Sequence, residues 1–145
     1  IHPTNKQTVA KRLAAMALNR IYKMPMVDSG PTFASAKLVG NKWTLTFTDI
    51  GGGLMTTDAK GIVRGFEILG ADLKFYAVDA KIVGSTIEIV SDRVSVEVDV
   101  RFCWIGDASA CNLFNREGFP AVPFRTDDWN TITEDAVYKI AEIKP

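Results

Sequence analysis

Histidine is almost missing from this chain: the sequence of 145 residues has one, His2, and only two cysteines, Cys103 and Cys111. One imidazole and two thiols fall short of the four-ligand sets that zinc prefers, so a metal centre of that kind is not expected. No Gly-x-Ser-x-Gly elbow occurs, and Ser29, Ser35, Ser85, Ser91, Ser95 and Ser109 sit in strands, turns or loops with no activating neighbour. A complete serine–histidine–acid triad cannot be assembled from this sequence alone. No apolar run approaches the roughly 18 residues needed to cross a bilayer, and the first twenty residues have neither the charged start nor the apolar middle of a signal peptide. An excess of either charge is lacking too, because Lys plus Arg and Asp plus Glu balance at 17 each. Without a net field there is no counterion-release drive toward nucleic acid or an anionic membrane, so neither is expected as a partner. Internal repeats and low-complexity segments are also absent.

What is present is 47% apolar and 23% charged, enough for one soluble domain with a core of its own. The start is helical. Thr4 and Gln7 have the spacing of a capping box, and Val9, Leu13, Ala17 and Ile21 recur every four residues with polar positions between them, which predicts an amphipathic helix ending near Tyr22. Pro25, Asp28, Ser29, Gly30 and Pro31 break that pattern, so residues 25–31 read as a linker.

Beyond the linker the period changes to two, the mark of strands that bury one face. Trp43, Leu45 and Phe47 alternate with Lys42, Thr44, Thr46 and Thr48. Further strands are expected at Leu54–Thr57, Ile62–Leu69, Leu73–Val83 and Thr86–Val90, with Gly84 and Ser85 as a hairpin turn. The clearest alternation, Val94, Val96, Val98, Val100, Phe102 and Trp104, comes last. About seven short strands joined without helices predict a mainly β fold, an antiparallel two-sheet β-sandwich over residues 32–130, preceded by the one helix. The segment from Ile105 to Trp129 follows neither period, although it carries Phe114, Phe119, Phe124 and Trp129. Such a long aromatic loop either covers one end of the sandwich or meets a ligand or another domain. The tail, 131–145, fits an edge strand or a short helix.

Several functional readings can be weighed on the residues alone. Gly51, Gly52 and Gly53 lie between two strands and lack the following helix that a phosphate loop needs, so they read as a turn. Glu67, Asp72, Asp79, Glu88, Glu97 and Asp99 read as solvated strand faces rather than as a glycosidase pair. Cys103 and Cys111 can sterically close a small disulfide, but two small buried thiols are the preferred reading. The aromatic loop allows a sugar-binding module, with Trp129 stacking on a ring and Arg125 or Asp127 fixing hydroxyls. It equally allows a structural ion pair between Arg125 and Asp127, with the aromatics as plugs in a sandwich-end or domain contact. A purely structural appendage, the preferred reading for 32–130, predicts no concave site.

By position alone His2 is only a chain-end residue. Its setting, Ile1-His2-Pro3-Thr4-Asn5-Lys6-Gln7 running into Val9-Ala10-Lys11-Arg12-Leu13-Ala14, resembles the Asp-x-His-Pro block that enters the last helix of SGNH hydrolase catalytic domains. Val100-Arg101-Phe102-Cys103-Trp104, Cys111-Asn112-Leu113-Phe114-Asn115-Arg116-Glu117-Gly118-Phe119-Pro120-Ala121, and Pro123-Phe124-Arg125-Thr126-Asp127 with Trp129 resemble the end of sialate O-acetylesterases. Gly65-Phe66-Glu67-Ile68 and the Trp43 strand share that likeness, which covers about residues 1 to 130. Phe102, Phe114 and Phe119 stand where the family has tyrosine, tyrosine and leucine, and Cys103 where it has alanine. The resemblance implies that His2 is the general base and that the serine nucleophile lies in an upstream SGNH catalytic domain of the same protein. Residues 1–24 would be the end of that domain. It further implies O-acetylated sialic acid as substrate, no cofactor, a periplasmic or extracellular location, and no activity in this chain by itself. The helix stripe would then lie on the sandwich or stay partly exposed, and exposure would favour dimerisation or aggregation.

Overall fold

The computed structural model describes residues 4–91, 99–131 and 134. Helix α1 spans Lys6–Arg20. Its cap is Asn5, whose Oδ1 accepts from the Thr8 amide at 3.0 Å, so the expected Thr4–Gln7 box gives way to an asparagine cap one residue later. At the other end Lys23, at φ 57°, turns the chain back so that the Met24 amide reaches the Leu18 carbonyl at 3.0 Å. The return is held by Asn19 Nδ2 donating to the Met26 carbonyl at 2.8 Å and by the Arg20–Asp28 ion pair at 2.6 Å. Ala15 is the helix's buried residue, while Val9, Leu13 and Met16 are exposed, as are Ile21, Tyr22, Met24 and Met26 just after it. The apolar stripe therefore faces outward instead of packing on the strands.

Among the described residues nine strands follow: β1 (Thr32–Val39), β2 (Lys42–Thr48), β3 (Leu54–Thr56), β4 (Ile62–Leu69), β5 (Phe75–Val83), β6 (Thr86–Val90), β7 (Val100–Phe102), β8 (Leu113–Asn115) and β9 (Phe124–Arg125). They form an antiparallel seven-stranded sheet, in the order β1-β2-β6-β5-β4-β7-β9, and a small sheet of β3 and β8. The expected alternation sets the core, because Trp43, Leu45 and Phe47 point inward with Ile87 and Ile89, and meet Phe66, Ile68, Val100 and Phe102. Leu54 and Leu113 bring the small sheet onto the same core. The fold is the mainly β, two-sheet sandwich with a preceding helix that the periodicity predicts.

The large sheet rolls until its two edges meet. Phe33 on β1 and Phe124 on β9, at opposite ends of the strand order, stack with centroids 4.2 Å apart and planes at 15°. Phe124 also packs at 6.1 to 6.4 Å against Phe47, Phe66 and Phe102. The backbone closes the same seam, with the Val122 amide donating to the Pro31 carbonyl at 2.9 Å. There Gly30 leaves no space for a side chain, since a Cβ on it would lie 1.8 Å from the Pro120 carbonyl oxygen.

Three strands differ from expectation. β1 carries a register shift between Phe33 and Ser35, which moves the inward positions from Phe33 to Ala36 and Leu38 and breaks the parity that announces a strand. β8 and β9, three and two residues long, lie inside the segment expected to be a long loop. The Val94–Val98 part of the expected last strand lies outside the described residues.

The short strands are positioned by Asn115, which is fully buried. Its Nδ2 donates to the Ser29 carbonyl at 2.9 Å and to the Asp49 carbonyl at 3.4 Å, and its Oδ1 accepts from the Phe119 amide at 2.9 Å. One side chain thereby ties the linker, the turn after β2 and the turn after β8. Asn115→Ala strands these buried backbone groups, and we expect a loss of about 2 to 4 kcal/mol. In urea unfolding this appears as a lower midpoint with an unchanged slope; an unchanged midpoint would show that the amide is dispensable.

Candidate functional site

The outward face of the same strands carries the polar chemistry. Arg101 on β7 pairs across the sheet with Glu67 on β4 and with Arg125 on β9. Two neighbouring guanidinium groups need a counter-charge, and Asp127 supplies it. Arg101 Nε and one terminal nitrogen donate to the two Asp127 oxygens at 2.6 and 2.7 Å, and Arg125 approaches the same carboxylate at 3.4 Å. The Arg101 hydrogen bonds hold the Asp127 carboxyl below its ordinary range against the opposing effect of burial, and they raise Arg101 in turn. The Arg101 guanidinium also lies 3.7 Å from the Phe75 ring centroid, with Trp129 edge-to-face against Phe75 at 5.5 Å. Thr126 continues the strap, accepting from the Val100 amide at 2.9 Å and donating to Asp99 at 2.7 Å.

The sequence candidates are thus brought together, in different settings. Asp127 has a fully buried side chain, and both its oxygens are taken by Arg101. Arg125 is half-buried, donates to the Trp129 carbonyl and lies 5.4 Å over Trp104. Trp129 is 40% exposed and Trp104 44%, so aromatic surface remains available on either side of the arginines. His2 lies outside the described residues. The Arg125–Asp127 ion pair expected from proximity in sequence is present at 3.4 Å; the shorter contact comes from Arg101, whose role is hidden because its partner is 26 residues away.

Beside this strap a hollow of about 480 Å³ opens on the outer face of β4 and β5. Its floor includes Glu67, Ala77 and Asp79, and its wall is the 103–111 loop, through Ile105 and Ala110. The structural-appendage reading expects no concave site here. Four contacts set the wall. Cys103 and Cys111 form a disulfide with Cα atoms 6.1 Å apart, which corrects the preference for free thiols. The Cys103 amide donates to the Gly65 carbonyl at 2.8 Å, and buried Asn112 accepts from the Arg64 amide at 2.7 Å while donating to the Ile62 carbonyl at 2.9 Å. Gly65, at φ 102° in the β4 bulge, admits the disulfide, because a Cβ there would sit 2.7 Å from the Cys111 sulfur. The glycine run Gly51–Gly53 has a different tenant: the Gly52 amide donates to the Glu117 carboxylate at 2.9 Å, so the chain's own anion occupies that turn.

No protein-family model matches the chain, and no curated protein matches it. Among solved structures, a carbohydrate acetylesterase from Xanthomonas citri is 41% identical to it, with a TM-score of 0.81 over 88% of this chain. The chain is related to a carbohydrate esterase. It spans 29% of that enzyme's length, so the likeness concerns one part of a longer protein.

Two predictions test this surface. Asp127→Asn leaves Arg101 uncompensated and should cost about 3 kcal/mol at pH 7. A carboxyl with a depressed folded pKa gives stability that is full above its unfolded value of about 3.9 and is lost as pH falls through the folded value. Urea unfolding between pH 7 and 2 should therefore show a flatter acid limb in the variant; parallel limbs would deny the pairing. Replacing both cysteines with serine should remove about 2 to 3 kcal/mol, as expected for closing a loop with a separation of 8 residues. Thiol alkylation of the denatured, unreduced chain should label no cysteine, and labelling of both would contradict the bond.

Proposed function

We propose that this chain is the C-terminal part of a carbohydrate O-acetylesterase of the SGNH hydrolase type, acting on O-acetylated sialic acids. The observation that carries the reading is the 41% identity to one part of a carbohydrate acetylesterase. The motif resemblance of residues 100–129 supports the sialate assignment. Residues 1–24 contribute the histidine segment and the last helix of the catalytic domain, and residues 32–130 the β-domain behind it. The outward apolar stripe of α1, with Leu13 at 63% and Ile21 at 73% exposure, supports packing of that helix on an upstream domain. The Cys103–Cys111 disulfide supports an oxidising location, periplasmic or extracellular.

Ester chemistry sets the mechanism in this proposal. An upstream serine attacks the acetyl carbonyl while His2 takes its proton, and upstream donors hold the oxyanion. The protonated histidine then returns its proton to the leaving sugar hydroxyl, and water activated by the same imidazole releases acetate. This route calls on no metal or organic cofactor. The 145-residue chain alone lacks the nucleophile and is expected to be inactive.

The test is hydrolysis of 9-O-acetylated sialic acid, beside an acetylated neutral oligosaccharide, by the protein with its upstream domain. In it His2→Ala should lower kcat about 10⁴-fold or more. Undiminished activity in that variant would overturn the role of His2, and turnover confined to the neutral substrate would overturn the sialate assignment.

A further inference from the structure

We infer that the hollow between the β4–β5 face and the disulfide-closed loop is a binding subsite for a neutral saccharide. The inference rests on the carbohydrate-esterase reading and locates a second, non-catalytic contact with the polymer or glycan that carries the acetyl group.

The lining selects the ligand. Among the described residues the Asp79 side chain has no hydrogen-bond or ion-pair partner, and the Glu67 side chain has no hydrogen bond and feels Arg101 only through space. Cross-strand register makes them neighbours: Glu67 faces Ala77, with Asp79 diagonal to it, about 7 to 8 Å away, opposite the Arg64–Gly65 bulge. Two carboxylates side by side present acceptor oxygens and call for donors. A cation would supply donors, but Arg64 lines the same rim, its guanidinium held by one contact of 2.8 Å to Asp58. A rim with free acceptors and spare donors matches a ligand that both gives and takes hydrogen bonds without net charge, as vicinal sugar hydroxyls do.

Shape and polarity agree with that occupant. Ala77, Ile105 and Ala110 line the remaining wall and floor, an apolar surface suited to the C–H face of a pyranose. Ile105 is 46% exposed on a loop held by the disulfide and by Asn112, so the wall is formed before a ligand arrives. With Arg64 offset by Asp58, the site's balance is negative through Glu67 and Asp79. A sialic acid carboxylate is therefore disfavoured here, and this subsite differs in preference from the proposed reaction centre.

The probe is a set of neutral hexasaccharides, cellohexaose, xylohexaose and mannohexaose, with sialyllactose as the anionic comparison, titrated into the isotope-labelled chain and followed by amide shifts. At least one neutral ligand should move the Gly65, Ala77, Ile105 and Ala110 amides. Its affinity should fall about 10-fold or more in Glu67→Gln/Asp79→Asn, where charged hydrogen bonds become neutral ones. Ile105→Ala should weaken it without changing the pH dependence. Shifts confined to the Trp104–Trp129 side, tighter binding of sialyllactose, or no response to any neutral ligand would each overturn the inference. Esterase turnover by the longer protein, measured alongside, reads the functional proposal separately. Activity without shifts in the hollow defeats the subsite alone, whereas shifts without activity defeat the esterase reading.

Discussion

The stack of Phe33 on Phe124 is the constraint from which the rest of the molecule is arranged. A seven-stranded antiparallel sheet left open exposes two edges and one large apolar face. Rolling it until the first and last strands touch encloses that face and leaves the two-stranded sheet to cover the remaining opening through Leu54 and Leu113. Buried Phe124 adds about 1.5 to 3 kcal/mol of burial and its share of ring contacts, and it does so from a strand only two residues long. A strand that short has almost no ladder of its own. Its place depends on the ring, on the Val122–Pro31 backbone bond and on the close approach of Gly30 to Pro120.

Once the inner face is committed to closure, the outer face is available for contact. Alternation along β4, β5, β7 and β9 puts Glu67, Asp79, Arg101 and Arg125 on that side as a consequence of putting Phe66, Ala80, Phe102 and Phe124 on the other. The two arginines share the Asp127 carboxylate and lie over aromatic rings, Arg101 over Phe75 and Arg125 over Trp104. Among the described residues the Glu67 and Asp79 carboxylates have no hydrogen-bond partners, beside a wall that the disulfide holds in place. The same division runs through α1, which leaves Val9, Leu13 and Met16 exposed, and the carbohydrate acetylesterase that the chain resembles is about three times as long.

How much of this could be read in the sequence follows from how local each signal is. Lys42–Thr48, Ile62–Leu69 and Thr86–Val90 were legible, bounds included, because each contrasts a wet and a dry face over several residues. β1 was not, since one bulge exchanges its parity. β8 and β9 were not, since they are held by Asn115 and Phe124 rather than by their own pattern. The site divided in the same way. Arg125, Asp127 and Trp129 could be picked out as a cluster from their proximity in sequence, but the dominant Arg101–Asp127 pair joins residues 26 apart. Glu67 and Asp79 read as ordinary solvated positions because the hollow exists only when the 103–111 loop folds over them. The disulfide was open on spacing alone; the gap at Gly65 that receives it is visible only in three dimensions.

In the function we propose, this chain belongs to a serine esterase whose nucleophile lies elsewhere in the protein. A fluorophosphonate reagent, which forms a covalent adduct with an activated serine, tests it directly when the labelled longer protein is digested and the modified peptide sequenced. One adduct is expected, on a serine upstream of residue 1 and lost when His2 is replaced. An adduct on any serine within residues 1 to 145 would mean that the chain carries its own nucleophile and would contradict the claim.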